Sequence, residues 1–217
     1  MSKIDLKNIS HSYNPNDPNP TYALNPFSMT WENGKRYAIL GPSGCGKTTM
    51  LNIVSGLVRP SAGNILFDDK DVTNLKTESR NIAQVFQFPV IYNTMTVYEN
   101  LAFPLKCRDF LKDKIEERVN SVADTLNLKS FLNSPARKLT ADQKQLISLG
   151  RGLVREDVAA VLMDEPLTVI DPDLKFRLRR KLKEINEEFK TTLVYVTHDQ
   201  NEAMTFADNI IVMSEGE

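Results

Sequence analysis

Gly41-Pro42-Ser43-Gly44-Cys45-Gly46-Lys47-Thr48 is the stretch whose reading decides the fold. It fills G-x-x-x-x-G-K-[ST] at every position, after Ala38-Ile39-Leu40 and ahead of residues 47–56, which read as a helix. Small residues let successive backbone N–H groups curl around an anion, and a helix starting there adds its positive end. Lys47 offers a point charge to the outer phosphates of a nucleoside triphosphate. The Thr48 hydroxyl suits Mg²⁺, and Thr49 is a candidate further phosphate contact. Strand, loop, Lys-Thr and helix in register predict a nucleotide-phosphate site at the carboxyl end of a strand.

Two more segments repeat that design. Val161-Leu162-Met163-Asp164-Glu165-Pro166 is an apolar strand ending in two acids. Asp164 is a candidate Mg²⁺ partner, and Glu165 a candidate for polarising an attacking water. In Tyr195-Val196-Thr197-His198-Asp199 the strand is followed by a protonatable His198. Taken singly, two acids read equally well as a solvated strand end, and a lone histidine more often as structural. Parallel α/β sheets bind ligands beyond the carboxyl ends of their strands, so one site can hold Lys47, Asp164, Glu165 and His198 together.

The rest of the chain supports a mostly parallel sheet covered by helices. Strand-like segments run over 4–9, 27–31, 36–40, 64–67, 82–86, 193–196 and 209–213, and Asn14 to Pro20 reads as loop. Leu111, Ile115, Val119, Val122 and Leu126 form one helical stripe inside a region of different texture, roughly 88–138. A helix is expected over about 142–154. Leu174, Leu178, Leu182, Ile185 and Phe189 mark the apolar face of another.

The 217 residues carry 27 Lys plus Arg against 28 Asp plus Glu, which leaves no basic footprint of a nucleic-acid binder. The most basic stretch, Lys175 to Lys183, runs into Glu184, Glu187 and Glu188 and reads as a solvated helix face. Cys45 and Cys107 make no metal-type pair, and a reduced, cytoplasmic setting fits them. The N-terminus has no signal-peptide core, and no apolar run approaches the roughly 18 residues of a membrane span. Any service to a membrane must go through partner chains.

With these motifs in hand, the chain resembles the nucleotide-binding subunit of ATP-binding cassette (ABC) transporters over essentially its whole length. The resemblance implies one P-loop NTPase domain over 1–217 with an N-terminal antiparallel β part. Residues 1–87 and 155–217 would form its core, and about 88–154 a helical subdomain carrying the signature segment. It implies ATP and Mg²⁺ on Gly41, Pro42, Ser43, Gly44, Cys45, Gly46, Lys47, Thr48 and Thr49. Tyr13 would stack on adenine, with Tyr22 the alternative. Gln87 after Phe86 would match the Q-loop that senses Mg²⁺, joining Thr48 and Asp164 as metal partners. Glu165 would be the catalytic carboxylate that activates water and His198 the switch histidine, and Thr168-Val169-Ile170-Asp171 the D-loop at a dimer interface.

The stretch Met95 to Phe103 and Asp199-Gln200-Asn201-Glu202-Ala203 are similar to those of carbohydrate and polyol importers, and Leu167 to Asp171 to those of glycerol-uptake ATPases. Implied partners are two transmembrane permease subunits, a second ABC ATPase and, indirectly, an extracytoplasmic solute-binding protein. The implied location is the cytoplasmic face of the membrane. A soluble cassette without a transport role stays open as the alternative.

One segment departs from the pattern. The family signature reads Leu-Ser-Gly-Gly-Gln, where this chain has Leu139-Thr140-Ala141-Asp142-Gln143. In the family that loop closes on ATP held by the partner cassette. Thr140 keeps a hydroxyl, and Thr140-x-x-Gln143 makes an acceptable capping box. Ala141 is tolerable unless the loop needs positive φ. Asp142 is the serious change, because a carboxylate about 4 Å from a phosphate charge is repelled by roughly 4 kcal/mol at an effective dielectric near 20. A weak composite site, completed on the other side by an unlike cassette with an intact signature, is the resulting expectation.

Overall fold

The computed structural model describes residues 2–168 and 170–217, without the side chains of 188 and 189. Val169 of the segment 168–171 and the Phe189 side chain of the helical stripe therefore lie outside the described residues.

Two sheets share one core. β1 (Ile4–Ser12), β2 (Tyr22–Trp31), β4 (Ala62–Phe67) and β5 (Lys70–Asp71) form an antiparallel sheet in the order β2-β1-β4-β5. β1 runs three residues past the expected 4–9. Asn8 adopts φ 49° and the pairing with β2 shifts register between Leu6 and Ile9, so the strand survives a break in alternation. The second sheet is parallel. It contains β3 (Arg36–Leu40), β6 (Ile82–Val85), β7 (Ala160–Asp164), β8 (Leu193–Thr197) and β9 (Asn209–Val212) in the order β6-β7-β8-β3-β9. β7 and β8 are buried at every residue, as strands covered on both faces must be.

α1 (Lys47–Ser55) packs between the sheets, where Ile39, Leu51, Val54 and Val196 are fully buried. Its end is set by Gly56 at φ 83° and by Arg80, which donates to the carbonyls of Ile53 at 2.7 Å and Val54 at 3.1 Å. The other face of the parallel sheet is covered by α2 (Val97–Lys106), α3 (Lys112–Thr125), α4 (Ala141–Leu153), α5 (Pro172–Phe189) and α6 (Gln200–Phe206).

α2 starts with a reciprocal capping box between Thr96 and Glu99. α5 starts with Asp171 accepting from the N–H groups of Asp173 and Leu174, ahead of Pro172. On α3, Ile115, Val119, Val122 and the following Leu126 are buried, but Leu111 is 76% exposed. Leu111 sits at the N-cap with extended backbone, so it precedes the helix and the stripe does not reach it. The basic stretch 175–183 is also not wholly solvated, because Lys175 and Arg179 turn inward to Glu202.

Candidate functional site

Strand register assembles the site. Leu40 pairs with Thr197, Val196 with Asp164, and Met163 with Val85. The carboxyl ends of β3, β8, β7 and β6 therefore lie side by side. The chain leaving each carries Gly41, His198, Glu165 and Gln87 off the same edge of the sheet.

The loop 41–48 has the shape its glycines allow. Gly46 caps α1 at φ 103°, and a Cβ there would lie 2.4 Å from the Ala23 carbonyl oxygen. A Cβ on Gly41 would lie 2.3 Å from the Met213 carbonyl oxygen. Gly44, at φ 83°, faces open space. Two glycines are thus demanded by close packing, and the third keeps the loop's outer wall clear. Lys47 is buried and its Nζ donates to the carbonyls of Gly41 and Pro42, each at 2.8 Å, with Cys45 Sγ at 3.9 Å. The ammonium group closes the loop on itself.

A cleft of about 280 Å³ opens in front, lined by Ser43, Gly44, Gly46, Lys47, Thr48, Thr49, Gln87, Asp164 and Glu165. Thr48 Oγ1 donates to Asp164 Oδ2 at 2.7 Å. Burial pushes the Asp164 carboxyl above its ordinary range and the Glu165 charge adds to this, while the Thr48 bond and Lys47 oppose it. A hydroxyl beside a buried carboxylate is a hard-oxygen pair that fits Mg²⁺.

Glu165 stands next to it in a left-handed conformation, φ 43°, that a non-glycine residue adopts at a cost. Its N–H is tied to Val196 O at 3.1 Å. Its carboxylate meets three side chains: His198 Nδ1 at 3.2 Å from Oε1, and Gln87 Nε2 at 3.4 Å and Thr168 Oγ1 at 3.3 Å from Oε2. One carboxylate is thereby aimed by three polar groups from separate segments.

Tyr13 follows β1 with its ring largely exposed. Its hydroxyl lies 3.2 Å from Thr49 Oγ1 and its ring meets His11 edge-on at 4.5 Å. Tyr22, paired with Ser12 across the sheet, is also exposed. Thr140–Gln143 and Asp171 do not line the cleft. Thr140 caps α4, and its N–H donates to Gln143 Oε1 at 3.1 Å. Its hydroxyl donates to Asp142, and Ala141 opens the helix without positive φ.

Two contacts had no sequence signal, although Thr168 itself falls in the expected D-loop segment. Thr168 reaches Glu165 only because of the turn after β7. Gln145, fully buried on α4, donates to Phe86 O at 3.2 Å and Pro166 O at 2.8 Å. It ties the helix after Thr140 to the segments carrying Gln87 and Glu165. Neither residue type nor spacing marks such a contact before the helices are docked.

Residues 24–168 match the family described as ABC transporter. The chain is 40% identical over 216 residues to the sn-glycerol-3-phosphate import ATP-binding protein UgpC of Pectobacterium atrosepticum. It is 38% identical to the putative uncharacterized ABC transporter ATP-binding protein YcjV of Escherichia coli K12. In both cases all of this chain is covered but only 59% of the relative's length. Among solved structures it is similar to the dimeric ATP-binding cassette MJ0796 bound to ADP and Pi, with TM-score 0.87 and 29% identity over 99% of this chain and 95% of that one. It is also similar to cbiO1 of Clostridium perfringens, part of the cbiONQ ABC transporter complex, with TM-score 0.86 and 27% identity over 98% and 85%.

Proposed function

The chain belongs to the ABC transporter family, and from that premise we propose that it is the ATP-hydrolysing subunit of an importer for a carbohydrate or polyol. Glycerol-type solutes and their phosphates are the class suggested by its likeness to UgpC proteins. The observation that carries the reading is the Glu165 carboxylate, fixed by His198, Gln87 and Thr168 over the same cleft as Lys47 and Thr48.

In this reading the triphosphate lies along the amides of 41–48 with the adenine against Tyr13. Lys47 turns from the loop carbonyls toward the β- and γ-phosphates. Thr48 and Asp164, with the amide oxygen of Gln87, would hold Mg²⁺, which when bound offsets phosphate charge. Glu165 accepts a hydrogen bond from a water and orients it in line with the γ-phosphorus. The new oxygen–phosphorus bond forms as the bond to the β-phosphate oxygen breaks, giving ADP and phosphate, and Glu165 takes up the water's proton. His198 reaches the γ-phosphate from beside Glu165. Positioning and charge do most of the work.

Two cassettes would close face to face, and hydrolysis would let them part. Partner membrane subunits would sit at a groove lined by Phe86, Val90, Pro104, Ser148 and Arg151, beside α2. The chain would then be peripheral on the cytoplasmic face. Release of phosphate from ATP that requires Mg²⁺ and disappears in Glu165→Gln tests the reading, and Mg²⁺-independent or absent hydrolysis by the chain with its partners would sink it.

Asp142 favours a second reading of the dimer. Its carboxylate accepts a hydrogen bond from the Thr140 hydroxyl and adds a negative charge where the family places the partner's γ-phosphate. An unlike cassette with an intact signature would then complete one competent site. A mixture of the two no more active than this chain alone would rule it out.

A further inference from the structure

His198 is more than half exposed, and its ring has one side-chain partner among the described residues, Glu165. Something must therefore fix the turn that carries it. Beneath that turn lies Glu202, in the first turn of α6 and only 7% exposed. Its Oε2 accepts from Thr197 Oγ1 and from Tyr195 Oη, each at 2.9 Å. Thr197 Oγ1 in turn accepts from the Asp199 N–H at 3.1 Å. Asp199 completes the loop by accepting from the N–H of Glu202 itself, at 3.2 Å. The residues immediately before and after His198 are thus both held by one carboxylate, directly or through one hydroxyl.

The second oxygen faces the other way. Oε1 lies 3.4 Å from Arg179 and 3.7 Å from Lys175, both on α5, the helix that Asp171 caps. Burying a carboxylate is costly unless it is matched by donors, and packing alone would be served as well by an apolar side chain. Here two hydroxyls and two cations are spent on it. Tyr195, whose phenol burial holds well above its ordinary pKa, stays a donor throughout.

We propose that Glu202 is a positioning residue, which through Thr197 and Asp199 holds His198 against Glu165 and joins that turn to α5. Its effect on turnover rests on the hydrolytic reading above, while its effect on the histidine does not.

The sequence has only two histidines, so ¹³C-histidine labelling of the 217-residue chain gives two Cε1–H signals, and loss of one in His198→Ala assigns them. Thr197→Val removes the bridging hydroxyl at nearly constant shape, and Glu202→Gln removes the charge. In both, the His198 signal should move while that of His11 stays. ATPase kcat should fall roughly 10- to 100-fold with KM for ATP within about twofold. Thr197→Ser, which keeps the hydroxyl, should restore both. Should Glu202→Gln not fold, the Thr197 pair decides alone. An unmoved His198 signal, unchanged kcat despite a moved signal, or no rescue by serine would overturn the proposal. A wild-type chain without ATPase activity would instead defeat the hydrolytic reading and leave the spectra to decide this one.

Discussion

Thr48 Oγ1 and Asp164 Oδ2 lie 2.7 Å apart although 116 positions separate them in the chain. The bond joins the start of α1 to the end of β7 and leaves a buried carboxylate facing the cleft. Its acid is raised above the ordinary value of 3.8, chiefly by burial. An acid whose pKa is higher folded than unfolded binds more protons in the folded state between those two values. Ionisation therefore costs stability as pH rises through that window, and the cost persists above it. Asp164→Asn should raise the Tm of the nucleotide-free protein at neutral pH by roughly 2 °C. The gap from wild type should narrow as pH falls toward 3.8. Thermal melts across the acid range check this, and a variant less stable than wild type at neutral pH would refute it.

Lys47 now bonds two loop carbonyls and in the proposed reaction exchanges them for phosphate. A charge-assisted bond of this kind is worth about 1.5–3 kcal/mol. Lys47→Ala should therefore weaken ATP binding by roughly 10- to 100-fold. Calorimetric titration of both proteins measures it, and unchanged affinity would argue against the site.

Arg80 spends its guanidinium on four carbonyls: Ile53, Val54, Thr73 and Leu75. Two of these, Ile53 and Val54, are C-terminal carbonyls of α1, and Ile53 O also accepts from the Gly56 N–H at 3.2 Å. Arg80→Ala should destabilise the fold by about 3 kcal/mol, and Arg80→Lys, which lacks the planar fork, should recover only part. Denaturant unfolding gives the comparison, and a loss below about 1 kcal/mol would show the carbonyls finding water instead.

Asp142→Gly removes the charge beside Thr140 and frees its hydroxyl proton. If the signature segment meets a partner's phosphate, this variant should raise the chain's own ATPase rate by about tenfold or more and promote ATP-dependent dimers. Rates and light scattering test it together. An unchanged rate would mean that Asp142 points to solvent in the dimer.

What could be read in advance was local. The loop 41–48, the apolar strands 161–163 and 193–196, and the cap at Thr140 each rest on neighbours in sequence. What escaped was tertiary. Leu111 looks like the first member of an apolar stripe until the chain is seen to enter α3 one residue later. Lys175 and Arg179 look solvated until α6 brings Glu202 beneath them. Seven-residue α6 is too short to show a period, although Asp199 gives it a cap. Gln145 has meaning only once α4 lies against both Phe86 and Pro166.

The most direct measurement is the fate of ATP on Glu165→Gln. The account predicts ATP affinity within about twofold of wild type, phosphate release at least about 100-fold slower, and a closed, ATP-loaded dimer that persists. Steady-state hydrolysis at the wild-type rate by this variant would contradict it.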